Sequence, residues 1–349
     1  MKICFFGDYD PTYNRIRVMQ KGLRMLGEDF VEVNVRSTGL KHYRELWDKY
    51  RLAPDHDIVL VAYSNSRFLP LLARMISRKP IVWDPLYSLY DNWVFDRKLT
   101  KPHSLKAYYY WLTDWLGCFF SHKIFLDTNT NAKYFHDTFF VNEKKLGRVL
   151  VGADDEMFAM APFVDGRNVF EVEFHGKYIP VQGTEILVHA AKLLENDNVH
   201  FTMIGSGQEV VRTKELALEL GVTNVTFLPF LQQEEVREYI RNADVCVGLV
   251  GDVPRVVRAI PNKMYEASAM GRVVINVDSS SLREVFNPGV DAIGVRQGDA
   301  EDMAKKIREI KLSGRAAEMG KAAREAFDKF GTPEQVAKEL LSFRKTIST

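Results

Sequence analysis

Cysteine is scarce in this chain. There are three in 349 residues, Cys4, Cys118 and Cys246, far apart and without a Cys-x-x-Cys spacing. That argues against a disulfide framework or a cysteine-bound zinc ion and for buried, inert thiols. His103, His122 and His136 show no spacing that suggests metal ligation. No Asp-x-Asp stands at a strand end, so metal-independent chemistry is expected. No apolar run approaches the length of a membrane span. The opening "MKICFFGDYD" has too short an apolar stretch for a secretory leader, and acids follow at once. A reducing, cytoplasmic location is the expectation. Excess charge is missing too. The formal net charge is +1, which gives no global reason to bind nucleic acid, so any charge-based function must be local. The first strand lacks G-x-G-x-x-G, which disfavours a dinucleotide dehydrogenase.

What is present is alternation. Short apolar runs such as "KICFF", "FVEVNV", "DIVLVAY", "PIVWD", "KIFLDT" and "GRVLVG" are separated by amphipathic segments of helical spacing. The turn-rich, acidic stretch Ala153–Asn168 breaks the pattern. It then restarts with "VFEVEFHG", "VHFTMIG", "NVTFLPF", "DVCVGLV", "RVVIN" and "AIGV". The pattern predicts an α/β chain of two doubly wound, Rossmann-like parallel-sheet domains facing a cleft. The first is expected over 1–155, a linker over 156–167 and the second over 168–332. A last helix over 333–349, with Thr332 as N-cap and Pro333 at its first position, is expected to return to the first domain. "AEDMAKKIREIKLSGRAAEMGKAAREAFDKF" reads as one long helix.

"RVVRAIPNKMYEASAMGRVVIN" poses the chemical question. Pro261 suits a helix start, Gly271 a helix end, and "VVIN" a buried strand. Yet Arg258 and Lys263 put cations where the helix is already positive. Lys263 and Glu266, three apart, share a face. They suit a phosphate and a vicinal diol, or simply an exposed intrahelical ion pair. In "FHGKYIPVQG" a strand ends at Gly176, with Lys177 in the loop. "MIGSGQEV" is another glycine-flanked strand end, where Ser206 and Gly207 are candidate pocket-lining residues.

Taken in order, these segments resemble the donor-nucleotide domain of GT-B-fold glycosyltransferases, most like glycosyltransferase family 4. "HGKYIPVQG" resembles the family's Gly-Arg/Lys…Lys-Gly donor loop. "MIGSGQE" resembles its Gly-x-Gly strand end, and "IPNKMYEASAMGRVVIN" its Pro-x-Lys-x-x-Glu segment. The resemblance is strong from Phe174 to Phe286 and weak before Leu150. It implies a retaining transferase that moves a sugar from a UDP- or GDP-linked donor to a hydroxyl acceptor, a glycan or lipid-linked molecule, with no cofactor. A nucleotide-sugar epimerase or a non-catalytic nucleotide-sugar-binding subunit are the alternatives. Lys177 and Lys263 then bind the diphosphate, Glu266 holds the ribose, and Phe230 and Leu231 cradle the base. Gly176, Gly205, Ser206, Pro261 and Asn262 complete the donor site. Two positions depart from the family. Gln182 stands where a second basic residue is common. Arg258 stands where many members have an acid, which shifts phosphate neutralisation toward Arg258 and Lys263.

The acceptor side is less legible. "GDYDPTYNRIR" offers Gly7, Asn14 and Arg15 behind a strand end, with Arg15 either binding phosphate or solvated. "WDPLYSLYDNWVFDRK" offers Asp84, also a catalytic candidate, and Asp91 among aromatic residues. The aromatic "SLKAYYYWLTDWLGCFFSHK" is expected to be a buried core helix, because Asp114 and a single basic flank make a poor membrane face. Peripheral contact with a membrane or a lipid-linked acceptor is the alternative.

Overall fold

The computed structural model describes residues 2–37, 39–64, 66–163 and 167–345. Residues 164–166 of the expected linker and 346–349 of the expected last helix therefore lie outside the described residues. The chain divides into two compact units, Met1–Val151 with Thr332–Thr349, and Gly152–Gly331.

In the first unit six strands alternate with five helices. The strands are β1 (Ile3–Gly7), β2 (Phe30–Asn34), β3 (Ile58–Val61), β4 (Ile81–Leu86), β5 (Lys123–Leu126) and β6 (Leu146–Arg148). The helices are α1 (Asn14–Met25), α2 (Leu40–Arg51), α3 (Leu69–Ile76), α4 (Leu105–Phe120) and α5 (Asn129–Phe139). The sheet runs β2-β1-β3-β4-β5-β6, parallel throughout. Successive residues of a strand face opposite sides, and both sides are covered. Ile3 and Phe5 enter one apolar cluster with α1, while Cys4 and Phe6 enter another with residues of α2, α3 and α5. This is why the strands read as continuous apolar runs.

The second unit holds β7 (Phe170–Lys177), β8 (Val199–Ser206), β9 (Val225–Leu228), β10 (Val245–Val247), β11 (Val273–Val277) and β12 (Ala292–Val295). Between and after them run α6 (Thr184–Leu193), α7 (Val210–Glu219), α8 (Gln233–Asn242), α9 (Asn262–Ala269), α10 (Ala300–Ser313) and α11 (Ala316–Phe330). The order is β12-β11-β10-β7-β8-β9, again all parallel, so β7 is an interior strand. The long helix expected after Asp299 is two helices. Gly314 takes a left-handed conformation (φ +66°) and ends α10 there.

Residues 152–163 belong to the second unit, and one buried side chain explains much of it. Arg272 donates to the carbonyls of Ala161 (3.1 Å) and Pro162 (2.7 Å), and to that of Arg241 (2.6 Å).

The last helix, α12 (Pro333–Lys345), packs in the first unit. Val336, Ala337 and Leu340 join the cluster that holds Ile16, Met19 and Leu23. The α1–α12 approach is close enough that a Cβ on Gly22 would lie 1.8 Å from the Pro333 carbonyl oxygen. Glu339 binds Arg148 Nε and the Leu150 amide, each at 2.7 Å.

The expectation of a buried aromatic helix is corrected here. α4 buries only Ala107, Thr113, Asp114, Gly117 and Cys118. Leu105, Tyr108, Tyr109 and Phe119 remain exposed. Asp114 lies on the inner face, where it accepts from Ser88 Oγ (2.7 Å) and the Tyr90 amide (3.0 Å).

Candidate functional site

Helix α9 occupies the place its sequence suggests, with one adjustment: Pro261 is its N-cap rather than its first helical residue. Proline has no side-chain acceptor to offer, so the first-turn amides have no side-chain cap. The other end closes as a Schellman turn. Gly271, at φ +71°, donates to Ser268, and Arg272 donates to Ala267. "VVIN" then forms β11, buried along its whole length.

Lys263 and Glu266 are both buried, at 6% and 5% exposure, which rules out the solvated intrahelical ion pair. Nor do they bind each other. Lys263 Nζ donates to Gln182 Oε1 at 2.6 Å and lies 3.9 Å from the centre of the Phe174 ring. Burial pulls its pKa down to about 7, against the opposing pull of Glu173 and Glu266. Gln182, the departure from a second basic residue, is thus the hydrogen-bond acceptor of the amine. A lysine at 182 would set two cations against each other.

Glu266 turns instead to His175 on β7. His175 Nε2 donates to Glu266 Oε2 at 3.0 Å, and Nδ1 to Glu173 Oε1 at 2.8 Å. Burial disfavours the imidazolium, but the charges and hydrogen bonds of Glu173 and Glu266 outweigh it and lift His175 to about 9. Both ring nitrogens therefore carry protons at neutral pH. The result is a buried cluster of two carboxylates, an imidazolium and an amine that is easily deprotonated.

Two glycines let this cluster form. Gly176 has φ +150°, and a Cβ there would lie 3.1 Å from Lys263 Nζ. Gly205 has φ +141°, and a Cβ would lie 1.9 Å from the Gly176 carbonyl oxygen. The glycine at 205 is thus required by backbone packing between β7 and β8.

The other expected donor residues surround this group along the chain. Lys177 is exposed at the end of β7, and Ser206 is exposed beside it in register on β8. Phe230, 66% exposed, and the half-buried Leu231 lie on the loop after β9. Asn262 is the first helical residue of α9. Arg258 caps the 3₁₀ turn Pro254–Val257, three residues before Pro261.

Sequence reasoning missed His175 and Glu173. Their signal was Glu171, Glu173 and His175 at period two in "VFEVEFHG". Such a polar row on an interior parallel strand has no solvent to face and must meet partners inside.

In the first unit, Arg15 is not solvated, and it meets Asp84. Both are fully buried, and they bind each other, Nε to Oδ2, at 2.7 Å. Arg15 also donates to the Val149 carbonyl (3.1 Å), and the Leu86 amide donates to Asp84 (3.1 Å). Asp84 outweighs burial and keeps Arg15 charged. The pair therefore ties α1 to β4 and to the chain after β6. Gly7 ends β1, Asn14 opens α1, and Asp91 opens a π-helical turn, Asp91–Asp96; all three are buried.

Residues 167–326 match the family model described as glycosyl transferases group 1. The lipopolysaccharide core biosynthesis glycosyltransferase LpsE of Rhizobium meliloti is 28% identical over 150 residues, 42% of this chain and 42% of that protein. The matched segment therefore spans less than half of that relative. Among solved structures, Anabaena HepE in complex with UDP and glucose has a TM-score of 0.74 at 13% identity, over 99% of both chains. A sucrose-phosphate synthase from Thermosynechococcus elongatus has 0.76 at 16%, again over 99% of both. At such identities the likeness shows the fold: GT-B, with two Rossmann-like domains.

Proposed function

Residues 167–326 match the model of the glycosyl transferases group 1 family, and from that match we propose that this protein is a retaining glycosyltransferase. It moves a hexose from a UDP- or GDP-linked donor to a hydroxyl on a glycan or lipid-linked acceptor. The observation that carries the reading is the buried Lys263–Glu266–His175 constellation at the start of α9 and the end of β7.

An ammonium that loses its proton near pH 7 is poorly compensated as it stands. A diphosphate beside it supplies the missing anion and restores its charge. The uncapped amides of α9 favour the same anion. Glu266 is held by His175 through one oxygen, so a ribose diol can donate to the other. In the reaction the bond from the anomeric carbon to phosphate breaks, and the diphosphate keeps the electron pair. Lys263, with Lys177 and Arg258, stabilises that charge. The acceptor oxygen bonds to the same anomeric carbon and passes its proton to the departing phosphate oxygen. No resident metal is needed in this scheme. The solved complexes of HepE with UDP and with UDP-glucose support a uridine donor for this chain.

The test is calorimetric titration of UDP, GDP and TDP into wild type, Lys263→Ala and Glu266→Ala, with sugar turnover measured in EDTA. The expected result is one preferred nucleotide, at least roughly tenfold weaker binding in each variant, and turnover that survives EDTA. Variants that bind and turn over donor like wild type overturn the assignment.

A further inference from the structure

The exposed face of α4 has no partner in the donor reading and stands apart from it. Leu105, Tyr108, Tyr109 and Phe119 on this face are 50–91% exposed. The rings run as a near-parallel ladder along the helix. Tyr108 to Trp111 is 6.1 Å, Trp111 to Trp115 is 6.4 Å, and Trp115 to Phe119 is 5.4 Å between centres. At the start of the helix the ladder borders a groove of about 390 Å³, lined by residues that include Tyr90, His103, Leu105 and Tyr108. A contiguous aromatic face of this kind marks an interaction surface.

Charge identifies what it meets. Between Arg97 and Leu126 the sequence holds five basic residues, Arg97, Lys98, Lys101, Lys106 and Lys123, and one acid. That acid, Asp114, is turned inward. Lys98, Lys101 and Lys106 are exposed around the helix start. Lys145 donates to the Cys118 carbonyl in the last turn, so the second end is basic as well. On the neighbouring elements, Asp137 is paired with Lys133 (2.7 Å) and Glu143 lies 3.8 Å from His136, while α3 exposes Arg74. Aromatic rings flanked by cations match a bilayer interface, where Tyr and Trp settle at headgroup depth and Lys and Arg meet anionic lipid. A second copy of the same face would bring cation against cation.

We propose that α4 docks flat on an anionic lipid bilayer. At 16 residues it lies in the interface rather than crossing, and among the described residues no helix is long and apolar enough to span. Each cation near such a surface strengthens binding roughly fivefold. The test is vesicle flotation of the full chain, without donor, on phosphatidylcholine vesicles with and without 30% phosphatidylglycerol. Two triple variants accompany it, Lys98→Gln/Lys101→Gln/Lys106→Gln and Leu105→Ser/Tyr109→Ser/Phe119→Ser. Wild type is expected to float with the anionic vesicles and to stay behind with neutral ones. The lysine variant should bind roughly a hundredfold more weakly. The apolar variant should lose the blue shift of tryptophan fluorescence that accompanies binding. Circular dichroism checks that both variants are folded. Failure to float, equal flotation by folded variants, or a dimer that Leu105→Ser/Tyr109→Ser/Phe119→Ser abolishes overturns the proposal. Because no donor is present, these outcomes leave the transferase reading untouched.

Discussion

Replacing Lys263 by Met should make the protein more stable while removing donor binding. Burial lowers the lysine from its ordinary 10.5 to about 7. The unfolded chain therefore holds this proton between pH 7 and 10.5, where the folded chain has released it. At about 1.4 kcal/mol per pH unit, the folded state loses up to about 5 kcal/mol as pH falls from 10.5 to 7, and no more below. Methionine fills a similar volume against the Phe174 ring without the charge. Losing the Gln182 hydrogen bond gives back about 1 kcal/mol. Lys263→Met should thus gain about 4 kcal/mol near pH 7, and the gain should shrink steadily toward pH 10. Urea unfolding at pH 6.5, 7.5, 8.5 and 9.5 reads this out. All five tryptophans, at 47, 83, 93, 111 and 115, lie in the first unit. Their fluorescence should report an unchanged transition, while circular dichroism follows the second unit. A variant no more stable than wild type at pH 7, or one whose gain ignores pH, would refute the reasoning.

His175→Asn should show the opposite trend. The histidine's raised pKa of about 9 stabilises the fold by about 3 kcal/mol below pH 6.5, a contribution lost as pH rises through 9. The wild-type advantage over this variant in the same urea series should therefore shrink from pH 6.5 upward and be gone above pH 9. Gly205→Ala places a Cβ 1.9 Å from a backbone oxygen at a positive φ and should lower stability by at least about 2 kcal/mol, seen as a lower melting temperature. Asp84→Asn leaves the Arg15 charge buried without its carboxylate and should cost about 3–5 kcal/mol in tryptophan-monitored urea unfolding.

The sequence was most legible where one rule governed. Parallel strands covered on both faces are mostly apolar, and each of the twelve runs read as a strand meets one in the structure, with β6 starting earlier than "GRVLVG" implied. Gly271 marked the end of α9 because a left-handed residue was needed there. Legibility failed where a residue's partner is remote in sequence. Spacing allowed Glu266 an ion pair with Lys263 three residues away, yet its protein partner is His175, 91 residues earlier. Arg15 and Asp84 look like separate polar groups at strand ends, and only folding shows that they meet. Asp114 suggested that α4 was unfit for an apolar surface, because composition does not say which side of a helix a charge takes. The break between α10 and α11 at Gly314 was hidden by helix-forming residues on both sides.

The position of α12 has a consequence for synthesis on the ribosome. Residues 1–151 emerge first, but the cluster around Ile16, Met19 and Leu23 is completed only by Val336, Ala337 and Leu340. Some 180 residues are translated in between, at about 5–20 residues per second. For roughly ten seconds or more the first unit carries an unfinished apolar face on α1, with bare backbone at Gly22 where Pro333 will sit. The second unit, continuous in the chain, can fold completely during that interval. The unit begun first is thus the last to close, and the nascent chain most needs chaperone cover at its oldest end.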